Sequence, residues 1–529
     1  MKTAFSLWGK ILCGGVLLLA SCTGRWPENA VISLGRAPLF PDYEDGTHIP
    51  CNIAPLNFTL PDTVKTAWVR IGSSSAQKAF KTGKNVVFPL KFWKRLTAAA
   101  RERQDTVELH ITVRGASGNR TAYPPVHWIV CPEPIDPFLT YRLLPSVEGA
   151  YSVGKGGYNV MELRERSLED FGERVLLSNE NMRRNCFNCH TSPEGNPDKM
   201  LVHLRNPSEG SLFFEGKNVS KRVPPSLEKA GAEWPDSLRM PLNLVYPAWH
   251  PEEEWIAFST NILGINGYTP EHQYVDILDS ACNIVLYNAR TNRIVLDRAL
   301  WTAAYEETWP AWSPDGKWLY FCRAPKTEPD MVARYPEWGE RVKHIHFDLC
   351  RIAFDASTGT FADTVQTLLH AKPDCSYSMP RMQPDGKGIL LCRALFNSIP
   401  YHALGDLLYF RIADGGQNIL PDRTENPADI LNSAESESWH DWSGNGSWVV
   451  FGSKRQNSHY ELPYIAYFDG ENFGKPFLLP QKNGNFYHAN LRLFNLPTFA
   501  RQASPVCPQN AAAGKESPAQ EIGLRPLAR

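Results

Sequence analysis

A chain of 529 residues is too long for one ordinary hydrophobic core, so several domains are expected, one of them large enough to be an extended all-β unit. Its 55 lysines and arginines nearly balance 56 aspartates and glutamates, which excludes a bulk basic field for holding nucleic acid or an acidic lipid surface. With 16 Trp, 19 Tyr, 25 Phe and 42 Pro the composition suits many short strands and turns, and the expected fold class is all-β.

The first residues read as an address. Lys2 and Lys10 precede an apolar run from Ile11 to Ala20 that is too short to cross a bilayer. It ends in Leu19-Ala20-Ser21-Cys22, which resembles the lipobox of bacterial lipoproteins. The resemblance implies that residues 1–21 are a signal peptide and that Cys22 is lipidated; an ordinary secretory signal is the alternative. Either reading exports the chain, and the expected location is the periplasmic face of the cell envelope, held in a membrane by the N-terminal lipid, with the outer membrane preferred to the inner. In an oxidising compartment the eight cysteines other than Cys13, Cys22, Cys186 and Cys189 are free to pair, and Cys51 with Cys131 is one candidate bridge.

Residues 22–135 alternate apolar and polar positions between Pro- and Gly-bounded turns, as in Val107-Glu108-Leu109-His110-Ile111-Thr112-Val113. Period-two alternation of this kind predicts a small β-sandwich-like domain.

Residues 136–245 carry the motif with the most chemistry, Cys186-Phe187-Asn188-Cys189-His190. Cys-x-x-Cys-His is the attachment pattern of c-type haem: two thiols on one turn reach the two vinyl groups, and the adjoining imidazole ligates the iron. The alternatives are a disulfide, or half of a zinc site with His203 as the nearest further ligand. On the haem reading Cys186, Cys189 and His190 bind one covalent haem c, and His190 and His203 are the expected iron ligands. Met200 and His203 alternate along one predicted strand, so only one of them can approach the iron, and histidine is preferred. The stretch is too poor in helix for a free-standing cytochrome domain, so a haem-bearing insert against a larger domain is expected, with divergent repeat units around it.

Residues 246–497 repeat. Trp309-Pro310-Ala311-Trp312-Ser313-Pro314-Asp315-Gly316 is followed at once by an apolar strand, and related segments begin at Tyr246, Met379 and Trp439, with Pro251, Pro314, Pro384 and Gly444 in equivalent places. Pro-Asp-Gly makes a tight turn because proline fixes φ and glycine tolerates positive φ. Units of two hairpins that cannot bury both faces alone must stack around an axis. The pattern resembles the TolB-type β-propeller repeat, which implies a propeller; four copies do not close a ring, so five or six blades are expected, with divergent ones in residues 136–240. Cys322 and Cys392 fall in the same place of two units and read as small buried hydrophobes. Residues 498–529 lose the apolar period and are expected to be a disordered tail.

The whole chain is similar to a group of bacterial TolB-like lipoproteins, most specifically over Ser453-Lys454-Arg455, Pro463 to Asp469 and Lys475 to Pro480. The functional expectation is a periplasmic, lipid-anchored c-type cytochrome that transfers electrons and docks a redox or envelope protein on its propeller. The alternative is a TolB-like protein-binding module whose haem is structural or sensory. No hydrolase elbow, phosphate loop or His-Glu-x-x-His pattern occurs, no catalytic residue is nominated and no nucleic-acid partner is expected.

Overall fold

The computed structural model describes residues 26–145, 160–225, 242–266, 276–326, 343–397, 405–413, 418–420 and 426–525, apart from positions 28, 75, 104, 183–184, 206–209 and 253. The signal segment and Cys22 lie outside the described residues.

Residues 31–131 form one seven-stranded sheet and a two-stranded piece. The second layer expected of a sandwich is largely a helix, Leu90–Arg103, which buries Phe92, Trp93, Leu96, Thr97 and Ala100 along one stripe. Trp93 anchors it by donating its indole N–H to the Ile53 carbonyl at 2.8 Å. Cys51 and Cys131, the candidate bridge, are separate buried thiols, and none of the ten described cysteines is in a disulfide.

The rest is a six-bladed β-propeller. Its inner strands in chain order are Cys186–Thr191, Leu244–Trp249, Tyr305–Trp312, Ser376–Met382, Glu437–Trp442 and Arg492–Ala500. Each touches the next, and the last returns to the first, so the ring is closed. The closing blade combines Arg492–Ala500 with Phe138–Pro145, Glu162–Ser167 and Glu173–Ser178. We number it blade I, and the blade that begins at Cys186 blade II, through to blade VI at Glu437.

The recurring turn holds itself together locally. In blade IV the Ser313 hydroxyl lies 2.6 Å from Asp315 Oδ1, the Trp318 amide donates to Ser313 Oγ at 3.0 Å, and Gly316 has φ +70°. Blade VI keeps the scheme with Asn445 in place of the aspartate: Ser443 Oγ lies 2.6 Å from Asn445 Oδ1 and Gly446 has φ +71°. Cys322 and Cys392 are buried in their blades, as expected of small apolar side chains.

The C-terminal segment departs from expectation. Arg492–Ala500 supplies the inner strand of blade I, and beyond it the helix Pro508–Glu516 packs on blade II. Gln520–Glu521 and Gly523–Arg525 then add parallel fifth strands to blades II and III. Val506 and Ile522 are almost wholly buried, and this burial orders a segment whose polar composition hides it.

Candidate functional site

One irregularity repeats in all six inner strands. Leu496, Cys189, Tyr246, Trp309, Met379 and Trp439 are left-handed, with φ between +47° and +56°, each at a break in ladder register. A non-glycine residue in this region costs roughly 1–3 kcal/mol, so six occurrences at one place mark a feature the fold imposes. The next residue is proline in four blades, where the bulge leaves no ladder bond for its missing N–H. It is histidine in the other two, His190 and His440.

Two residues past each left-handed position stand Thr498, Thr191, Ala248, Ala311, Arg381 and Asp441, and all six line a central cavity of about 380 Å³. The cavity opens at the end of the propeller that carries the Ser-Pro-Asp-Gly turns, since Ser313, Pro314, Pro384 and Gly444 line it as well. Its floor is aromatic: Tyr246 and Trp309 stack with centroids 3.7 Å apart, and Trp309 meets Trp439 edge-on at 5.7 Å.

The polar groups of the wall are mostly half-buried, Arg381, Asp441, Asp136, Thr191 and Thr498 among them. Arg381 donates from Nη1 to the Pro380 carbonyl at 3.1 Å, and burial lowers its pKa while Asp441 raises it. Asp441 Oδ2 accepts from the Phe499 amide at 2.9 Å, and burial pushes its carboxyl up to about 6. Asp136, at the junction with the N-terminal domain, accepts from the Gly444 amide at 2.8 Å. At the rim Arg501 faces Glu194 at 3.9 Å. His190 Nε2 lies 3.3 Å from Thr498 Oγ1, and burial with the Arg142 charge nearby lowers its pKa to about 3, so the imidazole is neutral.

The residues nominated from the sequence are divided by this geometry. Cys189, His190 and Met200 line the cavity; Cys186 and His203 do not. His203 pairs with Asn188 across the ladder and lies 3.5 Å from Ser211 Oγ. Burial and the neighbouring Arg205 charge lower its pKa to about 3. It shares a strand face with Leu201, which packs toward blade III, whereas Met200 packs toward blade I. Among the described residues no group of three or more His, Cys, Asp or Glu side chains is placed to hold a metal ion.

A covalent haem needs both thiols and the imidazole on one side of one turn. Here Cys186–Thr191 is a strand, not the expected insert loop, and Cys186 stands opposite Arg205. Three residues of strand advance ~10 Å, against ~4.5 Å in a helix. The three residues therefore do not fit the group in this conformation, and no step is derived through it.

Two signals in the sequence pointed to this arrangement. Ser192-Pro193-Glu194-Gly195 after Cys189-His190 is a divergent copy of the repeat turn, and Leu496-Pro497-Thr498-Phe499 copies Trp309-Pro310-Ala311-Trp312. They identify the inner strands of blades II and I.

No protein-family model matches the chain, and no curated protein matches it. Among solved structures, a putative TolB from Agrobacterium tumefaciens is similar over 65% of this chain and 92% of that one, at 15% identity and a TM-score of 0.31. The β-propeller domain of the Trilobed protease from Pyrococcus furiosus is similar over 71% of this chain and 92% of that one, at 11% identity and 0.29. Prolyl oligopeptidase B from Galerina marginata is similar over 56% of this chain and 38% of that one, at 13% identity and 0.31. At these values the likenesses assign no activity, and the propeller rests on its own sheet topology.

Proposed function

We propose that the chain is a binding module whose working surface is the funnel at the turn-bearing end of the propeller. One observation carries this reading: all six inner strands send a side chain from the same register position into one cavity, and two of those six are the charged groups Arg381 and Asp441. Opposite charges that share a concave wall, half-buried and without an ion pair between them, keep hydrogen-bonding capacity for an occupant. The test is site-directed photo-crosslinking in intact cells. A crosslinking residue at Ala248, in the cavity wall, gives a discrete product, and one at exposed Thr358 gives none. Equal products from both positions, or none from Ala248, overturn the reading.

A second reading is electron transfer by a haem c on Cys186, Cys189 and His190. It is favoured by the shared placement of Cys189, His190 and Met200 on the cavity wall. It requires the strand to become a turn, and it makes Met200 a nearer candidate for the further ligand than His203. Haem staining of the denatured protein, made in cells competent for haem attachment, decides it: a colourless band removes the haem and with it electron transfer. Attachment to a membrane through Cys22 is part of either reading, and Cys22→Ser then releases the exported protein into the soluble fraction.

A further inference from the structure

The funnel's chemistry narrows what it can hold. Its charges come in opposed sets: Arg381 with Asp441 on the wall, and Arg501 with Glu194 and Asp136 nearer the rim. An anionic ligand drawn to Arg381 meets Asp441 one blade away, and a cation drawn to Asp441 meets Arg381. Neither sign of charge is favoured. What the wall does offer together is a donor fork, an acceptor carboxylate and the hydroxyl of Thr191, while the Thr498 hydroxyl is already paired with that of Thr140 at 2.6 Å. Among the described residues, the hydrogen bond made by Arg381 goes to the backbone of its own strand, so most of its five donors remain for an occupant.

Between these groups the wall also carries aromatic and other apolar side chains. Trp249 is half-buried in the cavity lining, with Met382, Trp442 and Phe499 also on it. Aromatic faces carry negative potential and attract C–H groups polarised by neighbouring oxygens. A ligand with apolar C–H faces, a rim of hydroxyls that both donate and accept, and no net charge matches each of these features. The volume lies near the lower end of ordinary small-molecule sites, ~300–1,000 Å³. Two alanines at the register position, Ala248 and Ala311, leave room for a ring where the neighbouring blades place Arg381 and Asp441.

We propose that the funnel binds a neutral saccharide, with Arg381 and Asp441 gripping ring hydroxyls and Trp249 bearing on a sugar face. The proposal rests on the funnel being the working surface and names its ligand class.

The experiment titrates the full exported chain, by calorimetry and intrinsic tryptophan fluorescence, with three series of tetrasaccharides. Neutral cello-, malto- and manno-oligosaccharides form the first series, an anionic glucuronate oligomer the second, and a cationic glucosamine oligomer the third. Saturable binding is expected from a neutral sugar, with the charged series weaker. Arg381→Met and Asp441→Asn should each weaken it about tenfold, as expected for loss of a charged hydrogen bond at a half-buried site. Trp249 also packs on the core between blades II and III, so Trp249→Ala should weaken binding and lower the unfolding midpoint together. Thr191→Val removes a half-buried hydroxyl on the cavity wall and little else, and should weaken binding while leaving the midpoint close to that of the parent, so a folding defect in the other variants does not hide the result. No saturable binding in the neutral series, a preference for either charged series, or binding indifferent to Trp249, Arg381 and Asp441 overturns the proposal. If crosslinking from Ala248 persists while the saccharides fail, the ligand class is wrong and the funnel reading stands.

Discussion

The inner strand of blade II, Cys186–Thr191, and that of blade IV, Tyr305–Trp312, share one backbone and almost no side chains. Both break register at the same point, both carry a left-handed residue there, Cys189 at φ +52° and Trp309 at φ +56°, and both line the same cavity. In blade IV the sequence declares its repeat. In blade II a cysteine replaces the tryptophan and a histidine the proline, and the residue types then suggest metal chemistry instead. Residue identity at a motif speaks only when the backbone places the side chains together, and here ladder pairing sends Cys186 toward Arg205 and Cys189 toward the axis.

The sharpest way to break the comparison is to empty the shared position in each blade. Trp309 packs on Tyr246 and Trp439 at the floor of the funnel, so Trp309→Ala should cost about 3–5 kcal/mol. Cys189→Ala removes one buried sulfur and should cost ~1 kcal/mol. Midpoints of denaturant unfolding measure both. If Cys189→Ala proves the more damaging, its sulfur has a role that packing does not supply, and the two strands are not equivalent.

Much of this fold was legible, and what was missed has a physical cause. The repeat turns of blades III to VI announce themselves because each keeps part of the chemistry of Ser313-Pro314-Asp315-Gly316 in blade IV, with Pro251 in blade III and Pro384-Asp385-Gly386 in blade V; Asn445 succeeds in blade VI because its amide oxygen takes over the aspartate's turn bonds. Blades I and II were expected only as divergent units. Blade I draws its inner strand from the far end of the chain, and its Leu496-Pro497-Thr498 copy has no following turn and strand of its own. The C-terminal clip was illegible because its order comes from tertiary burial of isolated residues such as Val506 and Ile522, not from periodicity. The funnel was illegible for a related reason. Arg381 and Asp441 lie sixty residues apart, and only the repeat register shows that they face one another across adjacent blades.

A smaller effect separates turns that look identical in sequence. A Cβ on Gly316 would sit 2.3 Å from His250 Nε2, a ring already held at 2.9 Å to the Gly316 carbonyl, whereas a Cβ on Gly386 would meet nothing nearer than Pro314 at 3.9 Å. Both glycines are left-handed, at φ +70° and +74°. Gly386→Ala should therefore cost ~1 kcal/mol for conformation alone, and Gly316→Ala about 2 kcal/mol or more, because His250 must also move. Thermal melts of the two variants give the difference. Equal losses would mean that His250 yields freely and that the contact between blades III and IV is loose.

The smallest effect near neutral pH tests blade II against blade VI. His190 and His440 hold the position that is proline elsewhere, and burial lowers the pKa of both to about 3. His440 bonds through Nε2 to the Leu390 carbonyl at 2.9 Å, while His190 lies near the Thr498 hydroxyl. The unfolded chain takes up a proton on each near pH 6.5, and the folded chain does not until about pH 3, so stability held above 6.5 is lost as pH falls between these values. The slope is at most ~1.4 kcal/mol per pH unit for each histidine, and about half that at the upper end of the window. Buried acids oppose it: Asp441 is raised to about 6 and Glu307 to about 8, and their contribution is present at low pH and lost as pH rises through those values. The whole-protein profile is therefore flatter than either set, and the histidines emerge only by difference. His190→Gln and His440→Gln should each gain on the parent as pH drops from 7 to 5, by similar amounts, when unfolding free energies are compared at matched pH. If His440→Gln shows that gain and His190→Gln does not, the His190 imidazole is not an ordinary buried neutral group, and the strand that carries it has to be treated as a ligand-bearing turn and not as a blade like the others.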